Sequence, residues 1–488
     1  MKDPGRVRPQ IAREPIMIAS GSQPRINRRR FLRSAAGAGA ALALGPVMLG
    51  QGPAASSSDE INVALIGGGN QGKVLLEAAR RIEGVRFRAV CDIWSFNRKW
   101  VSRRLKAYGH ECNAYEDVEE MLDKEKDLDA VIIATPDFWH ARHTVACLNA
   151  GLHVYCEKEM SNTLEGARQM VEAARKTGKL LQIGHQRRSN PRYVFCHEKL
   201  LKEVKLLGRI VAVNGQWNRA VHTPLGWPRQ YEIDSATLKK YGYESMRQFR
   251  NWRWYKGLGG GPIVDLGSHQ IDVYNWFLGA RPVSVLASGR TNYYDRKTHE
   301  WYDTVVAVYE YDTPRGGVTA SYQTLTANRH LGYFEKFMGD EGTLVISERS
   351  SVGQLYPEPT AQQDGRVKWA TGLKEGYLTA SKAVMEMVDR MTVQQLAKAL
   401  SVDPSPLPIT TNAAATSGAA LMSCNLSVPM DKPVHQPHLE NFFDAIAGKA
   451  TLTCPADVGY ETAVTVLKVN EAVEAGRKLD FKPTEFVV

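Results

Sequence analysis

The sequence predicts an α/β protein with a doubly wound parallel sheet at its N-terminal end, followed by a C-terminal α+β part with a mainly antiparallel sheet. Two observations predict this architecture. Between residues 60 and 185, short apolar segments alternate with helical patterns at the spacing of repeated strand–helix units. After residue 186, several segments instead alternate apolar with polar residues and are rich in β-branched and aromatic side chains.

The first 56 residues stand apart from this pattern. Residues 28–32 read RRRFL, and an apolar stretch rich in Ala and Gly follows over residues 35–49. This order resembles a twin-arginine export leader, and residues 52–56 are small enough for cleavage by signal peptidase. The alternative is a retained membrane anchor, but a stretch of about 15 residues is shorter than the roughly 20 that span a bilayer. We therefore expect an exported, periplasmic protein whose transport partner is the twin-arginine machinery.

Charge and cysteine content narrow the function classes. Residues 1–33 carry nine Lys and Arg against two acids, which leaves 53 basic and 50 acidic residues, a net charge of +3, for the rest of the chain. The high isoelectric point is therefore largely a property of the leader, and we expect no nucleic acid as a partner. The seven cysteines have neither paired nor metal-type spacing, so we expect no disulfide framework and no metal site.

A glycine-rich turn follows the first predicted strand, residues 62–66. Residues 67–72 read GGGNQG, and a helical pattern continues from residue 73 to 81. In a dinucleotide-binding turn the first glycine permits the tight bend, the second lets the backbone approach a pyrophosphate, and the third lets helix and strand pack closely. A glycine turn in an unrelated α/β domain is the alternative. The residues expected to bind the dinucleotide here are Gly67, Gly69, Asn70, Gln71 and Gly72.

An acidic residue ends the second predicted strand, residues 85–90. Asp92 lies 20 positions past Gly72, where a carboxylate accepts hydrogen bonds from the adenosine ribose and repels a 2′-phosphate. Asp92 therefore favours NAD over NADP. The nearby Arg98 and Lys99 leave NADP open as the alternative.

The strand–helix alternation continues to residue 185. Further strands are predicted at residues 127–134, 153–156 and 180–184, with helices at residues 139–150 and 162–177. Functional groups of a doubly wound sheet lie at the carboxyl ends of its strands. Thr135, Lys158 and His185 follow such ends, so we expect them near the glycine turn.

Five segments of the C-terminal part have the alternation of sheet strands: residues 209–217, 283–290, 303–311, 316–325 and 343–348. Between the first two lies a loop rich in Trp and Gly, residues 251–261, which leads into a helix predicted to run to Phe277 and to end near Gly279. Because tryptophan stacks well on sugar rings, Trp252 and Trp254 are candidate substrate contacts. Ordinary core packing is an equal alternative.

Four stretches together resemble the Gfo/Idh/MocA family of oxidoreductases, which includes glucose–fructose oxidoreductase and inositol dehydrogenase. They are VALIGGGNQG, ATPDFWHARHTVACLNAGLHVYCEKE, GHQRRSNPRY followed by LGRIVAV, and GGGPIVDLGSHQID. The resemblance covers about residues 60–350 and again 438–481. It implies an NAD(P)-binding Rossmann domain at residues 60–185 and, at residues 186–488, a substrate and oligomerisation domain built on a large open, mainly antiparallel sheet.

The resemblance also implies three catalytic positions. Lys158 matches the lysine of the family's E-K-P motif, and Asp265 and His269 match its D-x-x-x-H motif. The i, i+4 spacing agrees, because it places both side chains on one helix face. His269 would take the proton of a secondary alcohol, Asp265 would orient or tune its ring, and Lys158 would stabilise the developing alkoxide. The alternative is that Asp265 caps the helix and His269 is a core histidine.

Further contacts follow from the same motifs. The resemblance places the cofactor against residues at the strand ends, namely Thr135, Pro136, His140, Glu157 and Lys158. His185 and Arg188 follow the last predicted strand of the parallel sheet and are candidates for binding substrate hydroxyls.

Two parts of the chain depart from the family pattern. Glu159 stands where the family has a proline after Lys158. A proline fixes the backbone and removes an N–H group, so we expect its loss to alter how Lys158 is presented and to add a carboxylate near the site. Residues 351–437, rich in Pro, Ser, Thr and Ala, are predicted to be an insertion on the surface or at a subunit contact.

These observations predict an exported NAD(P)-dependent oxidoreductase that acts on a secondary hydroxyl of a sugar, cyclic polyol or glycoside, as a homo-oligomer. Because free NAD is scarce outside the cytosol, we expect the cofactor to be tightly held, loaded before export and regenerated in place. Two alternatives stay open. One is an NAD-dependent glycosidase that works by transient oxidation and elimination, and the other is a non-catalytic sugar-binding protein.

Overall fold

The computed structural model describes residues 60–358, 363–400 and 423–488. The predicted leader, residues 1–56, and part of the predicted insertion lie outside these ranges. The described chain folds around one parallel sheet and one mainly antiparallel sheet, so the predicted fold class is confirmed.

The first sheet has six parallel strands in the order β3-β2-β1-β4-β5-β6. Its strands are β1 Ile61–Ile66, β2 Val85–Cys91, β3 Asn113–Tyr115, β4 Ala130–Ile133, β5 His153–Cys156 and β6 Leu181–Ile183. Alternate residues of β1 pack into two separate hydrophobic clusters, with Ala64 and Ile66 in one and Val63 and Leu65 in the other. Burial on both faces explains why these strands are continuous apolar runs that the sequence reveals.

Five helices connect these strands: α1 Asn70–Ala79, α2 Ser95–Ala107, α3 Val118–Lys124, α4 Asp137–Asn149 and α5 Leu164–Thr177. The predicted helices at 73–81, 139–150 and 162–177 are confirmed with small changes at their ends. Helix α1 begins three residues earlier than predicted, because Gly69 is its N-cap residue and the glycine turn leads directly into its first turn.

The second sheet has ten strands in the order β14-β15-β13-β12-β11-β7-β10-β9-β8-β16. Its strands are β7 Ile210–Asn218, β8 Pro282–Arg290, β9 Thr304–Thr313, β10 Gly316–Leu325, β11 Tyr333–Gly339, β12 Gly342–Ile346, β13 Gly353–Pro357, β14 Leu378–Thr379, β15 Cys424–Leu426 and β16 Leu479–Asp480. All five predicted strands are present. Within this sheet, β7 and β10 pair in parallel, whereas the other pairings between its described strands are antiparallel.

Shorter helices link the two sheets and lead to the helix that carries the predicted catalytic pair. The shorter helices are α6 Pro191–Phe195, a π-helix Cys196–Glu203, α7 Ser235–Lys240 and α8 Met246–Arg250, with 3₁₀ turns at Gln186–Ser189, Arg229–Tyr231 and Trp252–Trp254. The helix that carries the predicted pair is α9, Gly261–Leu278. Helix α9 ends at Gly279, whose φ of 59° is left-handed and therefore suited to glycine. The helix and its end are as predicted, and Asp265 and His269 lie one turn apart on it.

The described part of the predicted insertion extends the large sheet. Strands β13, β14 and β15 form its far end, and the helices between them are α10 Gln363–Lys374, α11 Lys382–Arg390 and α12 Val393–Ala399. Trp369 of α10 is buried and donates its indole N–H to the carbonyl oxygen of Glu341 at 3.1 Å. This segment is therefore packed against the sheet, and its predicted contact with another subunit stays a prediction.

The C-terminal end of the chain returns to the first sheet. Helix α13, Gln436–Ile446, places Leu439 and Phe442 in one hydrophobic cluster with Ile132 and Tyr155 of the parallel sheet. Helix α14, Ala456–Ala475, follows, and the chain closes with a 3₁₀ turn at Pro483–Phe486. The parallel sheet is thus completed by residues more than 250 positions beyond its last strand, as in the hydrogen bond between Gln182 Nε2 and the carbonyl oxygen of His438.

Within the described ranges, no helix combines the length and the apolar character that crossing a membrane requires. All seven cysteines are free thiols, and six of them are buried.

Candidate active site

The turn after β1 has the shape that a dinucleotide requires. Gly67 has a φ of 92°, and a Cβ there would lie 2.7 Å from the carbonyl carbon of Ala134. A Cβ on Gly72 would lie 1.9 Å from the carbonyl oxygen of Gly67, so strand and helix approach this closely only without that atom. A Cβ on Gly69 would meet nothing within 4 Å, because Gly69 lines an open cleft at the N-terminus of α1. The free first-turn N–H groups of a helix suit a pyrophosphate.

Asp92 lies beside this turn at the end of β2. One carboxylate oxygen accepts from the backbone N–H of Gly68 at 2.8 Å and from the Asn97 side chain at 3.0 Å, and the other accepts from the backbone N–H of Trp94 at 2.7 Å. A carboxylate has about four acceptor positions, so one remains for a ribose hydroxyl. Arg98 is turned toward Glu116, 3.2 Å away, rather than left free for a 2′-phosphate. This arrangement favours NAD.

A cleft of about 730 Å³ runs from the glycine turn to the loops of the large sheet. That volume lies within the range of small-molecule sites. Thirteen of the predicted site residues line it: Gly67, Gly69, Asn70, Gln71, Asp92, Thr135, Pro136, Glu157, Lys158, Trp252, Trp254, Asp265 and His269. Both parts of the chain therefore contribute to one site.

Lys158 and Asp265 meet inside this cleft. The Lys158 Nζ atom lies 3.3 Å from Oδ1 of Asp265 and donates to the backbone carbonyl oxygen of the same residue at 2.5 Å. Their side chains are only 10% and 13% exposed. Because Lys158 follows β5 and Asp265 lies near the start of α9, this ion pair fixes the two parts of the chain against each other.

Two arginines approach the same carboxylate. Arg253 Nε lies 3.0 Å from Oδ1 of Asp265, and Arg219 Nη1 lies 3.9 Å from Oδ2. Burial would raise the pKa of Asp265, but Arg253 and the other two cations around it hold that pKa well below its usual range. Asp265 is therefore an anion throughout the neutral range.

His269 lies one turn beyond Asp265, yet the two side chains do not bond to each other. Asp265 accepts from Lys158 and Arg253, while Nδ1 of His269 is buried without a hydrogen-bond partner in the described part of the chain. The expectation that Asp265 orients this ring directly is therefore wrong, because two stronger cationic donors occupy the carboxylate. Instead, Trp217 packs on the imidazole with ring centroids 5.4 Å apart.

The charge state of His269 follows from its surroundings. Burial and then the positive charge of Lys158 lower the pKa of His269 well below its usual value. The imidazole is therefore neutral at physiological pH and can accept a proton, as a general base must.

His140 lies behind the cleft rather than on its wall. Its Nδ1 is 2.7 Å from the carbonyl oxygen of Glu159, and its Nε2 is 2.8 Å from the carbonyl oxygen of Thr135. His140 thus connects the segments that follow β4 and β5, and Lys158 lies on the second of them. It is a positioning residue here, which corrects the predicted cofactor contact.

Glu159, which replaces the family's proline, is fully buried beneath the cleft. The Lys158–Glu159 peptide bond is cis. One carboxyl oxygen accepts from the backbone N–H of Met160 at 2.7 Å, and the other has no partner among the described residues. Burial raises the pKa of Glu159 to about 8. The replacement therefore adds a carboxyl group that is mostly protonated at neutral pH and does not face the cleft.

Two predicted substrate residues lie outside the cleft. The ring of His185 is buried, neither of its nitrogens has a partner in the described ranges, and burial lowers its pKa to about 4. Arg188 is paired with Asp272 at 2.8 Å. Both predictions are wrong, because the 3₁₀ turn after β6 directs these side chains beneath α9. Gln186 is the residue of that turn that lines the cleft.

The two predicted tryptophans do line the cleft. The guanidinium of Arg253 lies 4.3 Å from the Trp252 ring, and His299 stacks on Trp254 with ring centroids 3.7 Å apart. One face of each ring is therefore occupied by a protein side chain. Their contact with a sugar stays a prediction.

Several residues of the cleft were not predicted from the sequence, among them Arg219, Arg253 and His435. Arg219 and Arg253 lacked a recognised motif, although Arg253 stands between the two predicted tryptophans. His435 lies just before α13, and its Nε2 is 3.0 Å from Nε2 of Gln71, which also donates to Glu157 at 3.1 Å. His435 lies three positions before residue 438, where the C-terminal stretch of the resemblance begins, so no signal in the sequence linked it to the site.

Comparison with known families agrees with this geometry. Residues 61–185 match the model described as "Oxidoreductase family, NAD-binding Rossmann fold", and residues 201–345 match the model of the "GFO/IDH/MocA C-terminal domain". The two matches belong to one family and together span more than half of the chain. Residues 61–185 are therefore an NAD-binding Rossmann domain.

The chain also resembles curated dehydrogenases, each over part of the relative's length. The chain is 29% identical to a D-glucoside 3-dehydrogenase of Escherichia coli K12 over 46% of this chain and 56% of the relative. It is 30% identical to an inositol 2-dehydrogenase of Rubrobacter xylanophilus over 39% of this chain and 53% of the relative. The chain thus spans about half the length of the curated relatives it matches.

The fold also matches solved structures. A levoglucosan dehydrogenase in complex with NADH aligns with a TM-score of 0.61 and 17% identity, covering 87% of this chain and 99% of that structure. At this identity the likeness shows a shared fold.

Proposed function

The chain belongs to the Gfo/Idh/MocA family of oxidoreductases, and on this premise we propose that it is an NAD-dependent dehydrogenase acting on a secondary hydroxyl of a sugar, cyclic polyol or glycoside. The observation that carries the proposal is that Lys158 and a neutral His269 both line the cleft that begins at the glycine turn. The E. coli relative, a D-glucoside 3-dehydrogenase, supports the substrate class.

In the proposed reaction the protein moves one proton and stabilises one oxygen. His269 takes the proton of the substrate hydroxyl, and Lys158 donates a hydrogen bond to that oxygen as it becomes a carbonyl oxygen. Asp265 holds Lys158 in place through the ion pair at its Oδ1. Bound NAD supplies the acceptor for the hydride that leaves the same carbon.

We propose further that the cofactor stays bound between turnovers. The C-terminal part contributes to its site, since His435 and Gln71 are in contact across the cleft wall. Purified protein would be denatured and the supernatant assayed for NAD(H) and NADP(H). Release of about one NAD(H) per chain supports this proposal, and its absence contradicts the tight binding but not the dehydrogenase.

The dehydrogenase itself is tested by turnover. Protein supplemented with NAD would be incubated with panels of sugars, inositols and aryl glycosides, and keto-sugar formation would be followed together with absorbance of NADH. His269→Ala should abolish the product. Activity that survives in His269→Ala overturns the assignment of His269 as the base, whereas absence of product from the native protein with every probe favours the non-catalytic alternative.

A glycosidase that oxidises its substrate transiently is the second candidate. Asp137 lines the cleft, and burial together with the charge of Asp265 raises its pKa to about 7. A carboxyl group that is partly protonated at neutral pH suits a general acid for a leaving group. Release of aglycone from an aryl glycoside without net NADH formation would favour this candidate, whereas a stable keto-glycoside favours the dehydrogenase.

Export by the twin-arginine route is proposed from the leader alone. The motif at residues 28–32 supports it, and the route accepts proteins that have folded and bound a cofactor in the cytosol. Replacing both Arg28 and Arg29 by Lys should retain the protein in the cytosol of an expressing cell. Unchanged periplasmic recovery of this variant contradicts the proposal.

Homo-oligomerisation is proposed through the outer face of the large sheet. Leu286 of β8 is 48% exposed and lies opposite Val308 of β9, with the exposed Val306 and Val283 nearby on the same strands. Adjacent exposed apolar side chains suit a partner of the same kind. Light scattering of the native protein and of Leu286→Glu would test this, with a smaller mass expected for the variant.

A further inference from the structure

Two guanidinium groups in the cleft have hydrogen-bond donors to spare. Within the described residues, the guanidinium of Arg219 makes no hydrogen bond, and that of Arg253 makes only the one from Nε to Asp265. Both side chains are 45% exposed, and both line the cleft beside Asp265. At least two N–H groups on each arginine are therefore available to a bound molecule.

Each arginine is also held in position by an aromatic ring. The guanidinium carbon of Arg219 lies 5.3 Å from the ring of Trp217, and that of Arg253 lies 4.3 Å from the ring of Trp252. Stacking restricts the side chain without using its in-plane N–H donors. Trp217 also packs on His269, so one tryptophan ring contacts both Arg219 and the predicted base.

The acids around these arginines do not neutralise this end of the cleft. Lys158, Arg219 and Arg253 surround one carboxylate, Asp265. Glu157 is a second acidic side chain nearby, and a pKa raised to about 7 by burial leaves a third, Asp137, only partly charged.

The remaining acid on this wall, Glu348, is paired with the buried Arg187 at 3.0 Å. Three cations therefore share this part of the cleft with Asp265, Glu157 and a partly protonated Asp137, so their positive charge is not fully neutralised where a substrate must bind. A positive surplus next to unused planar donors suits a carboxylate or a phosphate better than a neutral hydroxyl.

We propose that the substrate carries an anionic substituent, a carboxylate or a phosphate, and that Arg219 and Arg253 bind it next to the carbon being oxidised. The inference rests on the proposed dehydrogenase and specifies its substrate class. It makes the two arginines determinants of specificity, and Asp265 the group that keeps them directed at the site.

The test compares ligands that differ in one group. Binding to the NAD-loaded protein would be measured by calorimetry for methyl β-D-glucuronide against methyl β-D-glucoside, for galacturonate against galactose, and for glucose 6-phosphate against glucose. In at least one pair the anionic member should bind about 10- to 100-fold more tightly, the range expected for hydrogen bonds between charged groups. The uronate and phosphate arms identify which anion is preferred.

Variants then assign the preference to the arginines. Arg219→Gln and Arg253→Gln should each bring the affinity ratio of the preferred pair toward one, while Arg219→Lys should keep part of it. Arg329→Gln removes an exposed arginine outside the cleft and should leave the ratio unchanged. Retained NAD content would verify that each variant is folded.

Several results overturn the inference. They are neutral members that bind as well as anionic ones, a preference that survives in both glutamine variants, and absence of binding by every anionic probe at millimolar concentration. If the protein oxidises sugars in a His269-dependent manner but binds the neutral members as tightly as the anionic ones, the proposed function stands and the anion inference fails. If it neither binds NAD nor oxidises any probe, the proposed function itself fails.

Discussion

The side-chain nitrogens of Gln71 and His435 lie 3.0 Å apart, although 364 positions separate the two residues. Gln71 belongs to the glycine turn, and His435 precedes the helix by which the chain returns to the parallel sheet. The contact therefore closes the dinucleotide end of the cleft with a residue from the far end of the chain.

Replacing His435 by Ala should weaken NAD binding by about 2- to 10-fold, the effect of one neutral hydrogen bond at a partly buried site. Equilibrium dialysis or calorimetry with NAD would measure it. Gln71→Leu should cost a similar factor, and the double variant should lose less than the product of both, because the two residues act as one pair. Fully multiplicative losses would contradict the pairing.

Removing the proposed base should affect the rate rather than cofactor binding. His269→Ala is expected to lower kcat by about 10²- to 10⁴-fold, the usual contribution of a positioned general base, with NAD content unchanged. His185→Gln is the matched control, because that histidine is equally buried but lies behind α9. A loss for His185→Gln as large as that for His269→Ala would disprove the assignment.

Lys158→Arg should not restore the activity lost in Lys158→Ala. The ammonium is held by a carboxylate and a carbonyl oxygen of the same residue, and a planar guanidinium does not fit both contacts. We expect both variants to lose kcat by at least about 10²-fold, because both remove a donor aimed at the developing charge. Steady-state kinetics with the best sugar substrate would measure this, and near-native kcat in Lys158→Arg would contradict the geometry.

Two substitutions in the glycine turn should differ in their effect on the free energy of unfolding. Gly72→Ala should destabilise the fold by several kcal/mol, because its Cβ would lie 1.9 Å from a backbone oxygen. Gly69→Ala should leave the unfolding free energy within about 1 kcal/mol of the native value, because that Cβ meets nothing. It should nevertheless weaken NAD binding, since the new methyl group occupies the approach to the pyrophosphate. Denaturant unfolding of both variants would measure the change in stability, and NAD titration would measure the change in cofactor affinity.

Glu159 should make stability fall as pH rises. Its pKa is about 8 in the folded protein against an ordinary value of 4.5, so folding favours the protonated acid. The stabilisation is complete below pH 4.5 and is lost as pH rises through 8. Glu159→Gln should remove this dependence and be more stable than the native protein at pH 8.5 by roughly 2 to 4 kcal/mol. Urea unfolding at pH 5.5 and 8.5 would test it, and a parallel pH dependence in both proteins would refute it.

The parts of the fold that the sequence predicts are those with a local signal. Strand β1 and the glycine turn are recognisable because burial on both faces and the absence of a Cβ restrict the residue types there. Strand β11, Tyr333–Gly339, was missed although it lies at the centre of the large sheet. Its sequence, YFEKFMG, buries a glutamate, Glu335, that is matched by Arg187 and Tyr193 from elsewhere in the chain.

The candidate site likewise contains residues that have a local signal in the sequence and residues that have none. Lys158, Asp265 and His269 were located by motif and spacing, and the structure brings them into one cleft. Their partners were not predictable, because Arg219, Arg253 and His435 reach the site through tertiary packing. The same packing turned His185 and Arg188 away from the cleft, although each follows a strand end in the sequence.

The return of α13 to the parallel sheet also sets an order of events during synthesis. Leu439 and Phe442 cover Ile132 and Tyr155, so the first 185 residues emerge from the ribosome with an apolar face that only the last 50 residues can shield. Domains usually fold as units as they are made, but we expect this one to complete its packing only after α13 has been synthesised. We therefore expect cofactor binding to be a late event, and a chain truncated before α13 to expose apolar surface and to be degraded rather than to persist as a partial enzyme.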